Sequence, residues 1–189
     1  MKTDIIITGK KTLWLILAVF CCLLPVYGAE PPRAPIDINL IVDGSQAMSG
    51  VKAEVNSWLS GRLDQILMEG DTVTVWSAGA SAKIVFSAKI DGKTGIDAVK
   101  KSVREIPASG DKADYAGALK EAAGRRNSDP CYTLLVSASQ TSLSALLSGQ
   151  QANLMRFSRV EEFSGWRALV VGLNLEAKVE KAAAAFFGS

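Results

Sequence analysis

Apolar residues alternate along Ile36, Ile38, Leu40 and Val42, and Ile41 adds an apolar group to the opposite face. A period of two with both faces apolar predicts a central strand covered on both sides. The period then lengthens. Val51, Val55, Trp58, Leu59, Leu63, Ile66 and Leu67 recur at steps of three and four, which predicts a long amphipathic helix ending near Gly70, with Trp58 on its buried stripe. Two short β-branched and aromatic segments follow, Val73 to Trp76 and Lys83 to Phe86. The link between them is too short for a helical crossover, so they are expected to pair antiparallel as an edge hairpin.

Beyond Asp91-Gly92, the run Thr94-Gly95-Ile96-Asp97 has the form of a capping box opening a helix that carries Ile96, Val99, Val103 and Ile106 and stops at Pro107. A further helix is predicted over 113–123, with Ala116, Leu119 and Ala123 on one face, and a buried strand over 133–137. Mixed helix and loop fill 143–163, a strand covers 168–173, and Leu175, Val179, Ala182 and Phe186 line a closing helix. Strands alternating with helices predict an α/β fold: a Rossmann-like open sheet, mostly parallel with one antiparallel edge strand, and helices on both faces.

The N-terminus follows a different pattern. Lys10 and Lys11 precede an apolar run from Leu13 to Leu24, broken by Pro25 and leading into Val26-Tyr27-Gly28-Ala29-Glu30, a small-residue cleavage pattern. The pattern reads as a signal peptide over 1–29, and the run is shorter than the roughly 20 residues a spanning helix needs. Cys21-Cys22 keeps a lipidated leader as an alternative, although Ala18-Val19-Phe20 puts bulky groups where a lipidation signal wants small ones. Residues 30–35 form a proline-rich linker, and 36–189 one domain of ordinary size. The leader carries Lys2, Lys10, Lys11 and Asp4, so the remainder is neutral, with 18 basic and 18 acidic residues. Neutrality removes the simplest electrostatic case for nucleic acid, and leaves membrane contact to an uncleaved or lipidated leader. Cys131 is the one cysteine outside the leader, so no internal disulfide forms, and the chain has no Asn-x-Ser/Thr sequon. An exported bacterial protein, periplasmic or secreted, is expected.

In open α/β sheets ligands bind beyond the carboxyl ends of the strands, and the first strand ends on Asp43-Gly44-Ser45. That motif, the hairpin, the helix Ala113-Asp114-Tyr115-Ala116-Gly117-Ala118-Leu119 and the strand Leu134-Leu135-Val136-Ser137-Ala138 resemble a von Willebrand factor type A (VWA) domain over roughly Ile36 to Phe187. The resemblance implies a protein-interaction module with a metal-ion-dependent adhesion site. That site is built on Asp-x-Ser-x-Ser after the first strand, a Thr before the Ala-Leu helix and an Asp after the fourth strand. Asp43 and Ser45 match it, but Ala47, Ala113 and Ala138 stand at the other positions. A methyl group cannot ligate, so a tight metal and any other cofactor are not expected. Asp43 then has two readings: its carboxylate accepts backbone N–H bonds in the turn, or it joins Ser45 and a replacement carboxylate from Asp111 or Asp114 in a rebuilt, weak Mg²⁺ or Ca²⁺ site.

Other chemistry finds little support. The absence of histidine removes Ser-His and Cys-His catalysis, and no motif brings a base to Ser45 or Ser139, so a hydrolase is the remote alternative. The loop from Asp43 to Gly50 lacks the Gly-Lys-Ser/Thr ending of a phosphate cradle. Cys131, just before a strand, is expected to pack in the core or at the strand edge, and Trp76 to lie partly open near the edge. Residues 156–167 mix charge and aromatics in a long crossover that either carries function or pins itself to the sheet. The expectation is a non-enzymatic exported domain that binds a protein, independently of metal, through Asp43, Ser45, Gln46, Asp111, Asp114, Ser139 and Gln140.

Overall fold

The computed structural model describes residues 33–125, 131–148, 166–172, 176–179 and 181. Five strands form one sheet: β1 (Asp37–Asp43), β2 (Thr72–Ala78), β3 (Ala82–Lys89), β4 (Cys131–Ser137) and β5 (Trp166–Gly172), in the order β3-β2-β1-β4-β5. All neighbours are parallel except β2 and β3, which form the expected antiparallel hairpin at the edge. β1 is central and buried along its whole length, as its apolar pattern requires. The chain leaves β1 toward β2 on one side and returns to β4 on the other. Strand order therefore reverses at the end of β1, where Asp43 is the last residue.

The described helices are α1 (Lys52–Ile66), α2 (Lys93–Glu105), α3 (Tyr115–Gly124) and α4 (Gln140–Ser148), preceded by a 3-10 turn at Gln46–Met48. Alternation along β1 splits the core. Ile38, Leu40 and Val42 meet Val55, Leu59 and Leu63 of α1 and Val99 and Val103 of α2. On the opposite face Ile41 joins Trp76, Ala116, Ala118, Leu119 and Ala122 of α3, and Leu143 and Leu146 of α4. Helices thus cover both faces, and burying side chains of this size contributes about 1.5–3 kcal/mol each.

Three expectations need correction. Trp58 is 38% exposed, because the buried stripe of α1 is the narrow line Val55, Leu59, Leu63 and Trp58 lies about 100° off it. The capping box at Thr94 is not made: α2 starts at Lys93 after Gly92, whose φ of 87° turns the chain in, and no side chain caps it. Trp76 is closed rather than partly open, its indole Nε1 donating to Asn39 Oδ1 at 3.1 Å inside the core. Cys131 belongs to β4 itself and is buried, its sulfur accepting from Asn39 Nδ2. The crossover 156–167 lies outside the described residues except for the backbone of 166–167, and of the closing helix only 177–179 and 181 are described, all helical.

Leu59 is 1% exposed whereas Ile66 on the same helix is 41% exposed. Urea denaturation should show Leu59→Ala losing about 2–5 kcal/mol and Ile66→Ala about 1 kcal/mol or less.

Candidate functional site

The carboxyl edge of the sheet is built around one carboxylate. Asp43 is fully buried, and both of its oxygens accept hydrogen bonds. Oδ1 accepts from Ser45 N at 2.8 Å, closing the turn after β1. Oδ2 accepts from the Tyr115 hydroxyl at 2.6 Å and from the backbone N–H groups of Ala138 and Ser139, each at 2.9 Å. Donors thus reach it from its own turn, from the first residue of α3 and from the loop after β4. A buried carboxylate is stable only when its lone pairs are filled in this way.

The surrounding loops are tied to one another as well. Gly44 N donates to Ala78 O, Ser109 N to Gly44 O, Gln46 N to Gly110 O and Asp114 N to Gly79 O, all within 2.9 Å. Gly110 adopts a φ of 100°, which favours glycine, and so turns its carbonyl toward Gln46. Ser139 caps α4: its Oγ accepts from Ser142 N and donates to Ser142 Oγ, which in turn accepts from Ala113 N. Asp114 caps α3 by accepting from Gly117 N. A side chain at Gly117 would collide with that carboxylate, which accounts for the glycine.

This geometry divides the residues expected at the edge. Gln46 and Asp111 are exposed, and Asp114 and Gln140 half-buried. Gln140 Oε1 accepts from Glu176 N at 2.9 Å, so it too serves an internal tie. Asp43, Ser45 and Ser139 are buried. Burial sets these three apart from the expected contact surface, because their side chains offer a partner little or no area. Ala138 meets Asp43 through its own N–H; Ala113 is bonded to Ser142 and reaches Asp43 only through Ser139, and Ala47 is exposed on the 3-10 turn.

A divalent cation of the adhesion-site kind needs about six oxygen ligands, and the donor set does not fit one. Four N–H and O–H groups already point their hydrogens at the Asp43 carboxylate, where a cation would need bare oxygen. Ala47, Ala113 and Ala138 supply methyl groups. Asp114 is committed to its cap, and among the described residues no three His, Cys, Asp or Glu side chains are grouped to hold an ion. What remains is Ser45 Oγ, the one buried side-chain polar atom without a partner among the described residues. One hydroxyl is not a cage.

Sequence reasoning missed Tyr115, whose ring is 1% exposed and whose hydroxyl also lies 2.7 Å from Ser137 Oγ. Burial first, then the charge of Asp43 and the bond to it, raise the phenol far above its ordinary range, and the Ser137 and Ser139 contacts that lower it do not offset this. The hydroxyl therefore stays a donor while the fold stands. Its one signal in the sequence is a large aromatic opening an otherwise alanine-rich helix.

Two openings flank α3. One, of about 440 Å³, lies between the start of α3 and α4, with Ala113, Ala116, Ala145 and Leu146 lining it and Lys112 and Thr141 among its polar lining residues. The other, of about 600 Å³, runs beside β3, where Arg125 sits 5.7 Å over the Trp76 ring.

Comparison with solved structures places the fold. The chain superposes on a von Willebrand factor type A protein from Catenulispora acidiphila with a TM-score of 0.61 and 16% identity, covering 82% of this chain and 37% of that one. It matches the pilus adhesin SpaC from Lactobacillus rhamnosus GG with a TM-score of 0.61 and 12% identity over 84% of this chain and 28% of that one. The SpRpn10 VWA domain matches with a TM-score of 0.55 and 10% identity over 82% and 84%. The fold is VWA-like. The chain spans well under half the length of the first two proteins. No family model and no curated protein matches the sequence.

Replacing Asp43 with Ala strands four donors, so chemical denaturation should show a loss of at least about 3 kcal/mol. The Tyr115 phenol is higher in the folded than in the unfolded chain. Its stabilisation is therefore complete below the unfolded value of about 10 and is lost as pH rises beyond it. Stability measured on either side of about pH 10 should fall more steeply in the wild-type chain than in Tyr115→Phe.

Proposed function

We propose that this chain is an exported, non-enzymatic protein-binding or scaffold domain that meets its partner through the exposed part of its carboxyl-edge loops, without a bridging metal. The Asp43 carboxylate, which takes four donors from the chain itself, carries this reading. Adhesion through a metal requires a carboxylate and hydroxyls open to an ion, and here the acid is turned inward to hold its own loops. What faces outward is Gln46 with Ala47 on the 3-10 turn and Asp111 on the loop bonded to it.

The VWA-like fold supports an interaction role at the level of architecture, since such folds occur in an adhesin and in the SpRpn10 VWA domain; fold alone does not fix function. Against catalysis stand the absence of histidine and the environment of the edge serines. Ser45 Oγ has no base within hydrogen-bond reach and Ser139 Oγ is engaged in a helix cap. The charged, apolar and small-residue sequence of the leader supports export. Among the described residues no helix is long and apolar enough to cross a membrane.

A photo-crosslinking residue placed at Gln46 or Asp111 in cells of the native host should trap the same protein partner, with or without chelator. The same residue at Glu69, which is itself exposed in the loop before β2 at the opposite end of the sheet, should not. Trapping at Glu69 alone, or trapping abolished by EDTA, would overturn the assignment.

A further inference from the structure

The failure of the donor set to fit a cation raises the question of what performs the cation's structural task. In an ion-centred edge, the metal is what draws the loops after separate strands onto one point. Here those loops are drawn together all the same. We infer that the Tyr115 hydroxyl has taken the place of the cation, closing the junction of β1, β4 and α3 on Asp43 so that the carboxyl edge keeps one shape whatever the divalent-ion concentration.

Four observations carry this. The hydroxyl stands 2.6 Å from Asp43 Oδ2 and 2.7 Å from Ser137 Oγ, so it bridges the ends of β1 and β4 from the first turn of α3. The ring behind it is buried among the residues of the α3 and α4 face, so the hydroxyl is held by packing rather than by a flexible stem. Ala113, two residues earlier, is engaged through its own N–H with Ser142 Oγ, which fixes the approach to α3. The Ala138 and Ser139 N–H groups share Oδ2 with the phenol, so that oxygen has no lone-pair direction left for a metal.

A neutral O–H brings less charge than an ion, and the deficit is met by three backbone N–H dipoles that a metal would have no need of. The physical consequence is a difference in control. A metal-centred junction depends on the supply of the ion; one closed by a side chain of the same chain does not, and its partner surface is preformed. The inference rests on the metal-independent part of the proposed function, but it concerns the isolated chain and needs no partner.

Thermal unfolding of the full purified chain, followed by circular dichroism in EDTA and in millimolar Mg²⁺ or Ca²⁺, tests it. The wild-type midpoint should be the same in all three buffers. Tyr115→Phe keeps the ring and deletes the hydroxyl; its midpoint should fall by about 3–10 °C, with no rescue by either ion. Adding Ala47→Ser, Ala113→Thr and Ala138→Asp to Tyr115→Phe restores the ligand oxygens and removes the competing donor, and should produce a midpoint that rises with Mg²⁺. A wild-type midpoint that rises with Mg²⁺ overturns both this inference and the metal-independent reading. An unchanged midpoint in Tyr115→Phe overturns the inference alone and leaves the proposed function standing. Should Tyr115→Phe not fold, proton NMR of the wild-type chain decides. A resolved, slowly exchanging tyrosine hydroxyl that ignores Mg²⁺ supports the inference, and one in rapid exchange with water sinks it.

Discussion

A carboxylate with no solvent contact must be satisfied entirely by the protein, and everything at the carboxyl edge of this sheet follows from how Asp43 meets that demand. Its position is fixed by β1, the one strand whose neighbours lie on both sides at the reversal of strand order. To fill its lone pairs, the chain brings in a turn N–H, a phenol and two N–H groups from a loop more than ninety residues away in sequence. The four donors come from three different parts of the chain, so satisfying one charge also sets the relative placement of β1, α3 and β4. The further ties between loops, from Gly44, Gln46, Asp114 and Ser142, are consistent with that placement and are short.

The fold was largely legible in the sequence because the signals that encode it are local and periodic. The alternation from Ile36 to Val42 identified a strand buried on both faces, and the short link between the Trp76 and Lys83 segments forced an antiparallel pair. The misreadings share a cause: each needed information about how wide a buried face is or what lies across from it. Seven apolar residues in and beside α1 described a broad stripe, but within the helix the buried line is Val55, Leu59 and Leu63, and Trp58 is left to the side. Thr94 has a capping sequence around it, yet Gly92 turns the chain two residues earlier, so the helix begins before the box can form.

The site was legible in half. Asp43 and Ser45 stand out because they fall at a strand end in a recognisable order, and the alanines at 47, 113 and 138 declare by chemistry alone that ligands are missing. What replaced them was hidden. Tyr115 is separated from Asp43 by 72 residues, and an aromatic at the start of a helix rich in alanine reads as packing, which it also is. Burial was the other hidden quantity. Ser139 follows a strand at the edge, where polar residues usually face water, but its hydroxyl is drawn inward to cap α4. No periodicity in the sequence distinguishes a serine that caps from one that greets a partner.

The same closure decides what kind of recognition the edge can offer. A carboxylate shared among four donors projects little field into solvent, so a partner arriving at Gln46, Ala47 and Asp111 would meet a nearly neutral surface with Asp111 as its exposed acid. Charge steering would then contribute little to its association, and affinity would depend on shape and on hydrogen bonds to groups already held in place. That places the burden on rigidity. The loops can afford to present small side chains and bare backbone, as at Ser49, Gly50, Ser109 and Gly110, because their conformation is imposed from beneath rather than by the contacts they make. Loosening the junction under Asp43 would thus alter the outer surface without changing one atom on it.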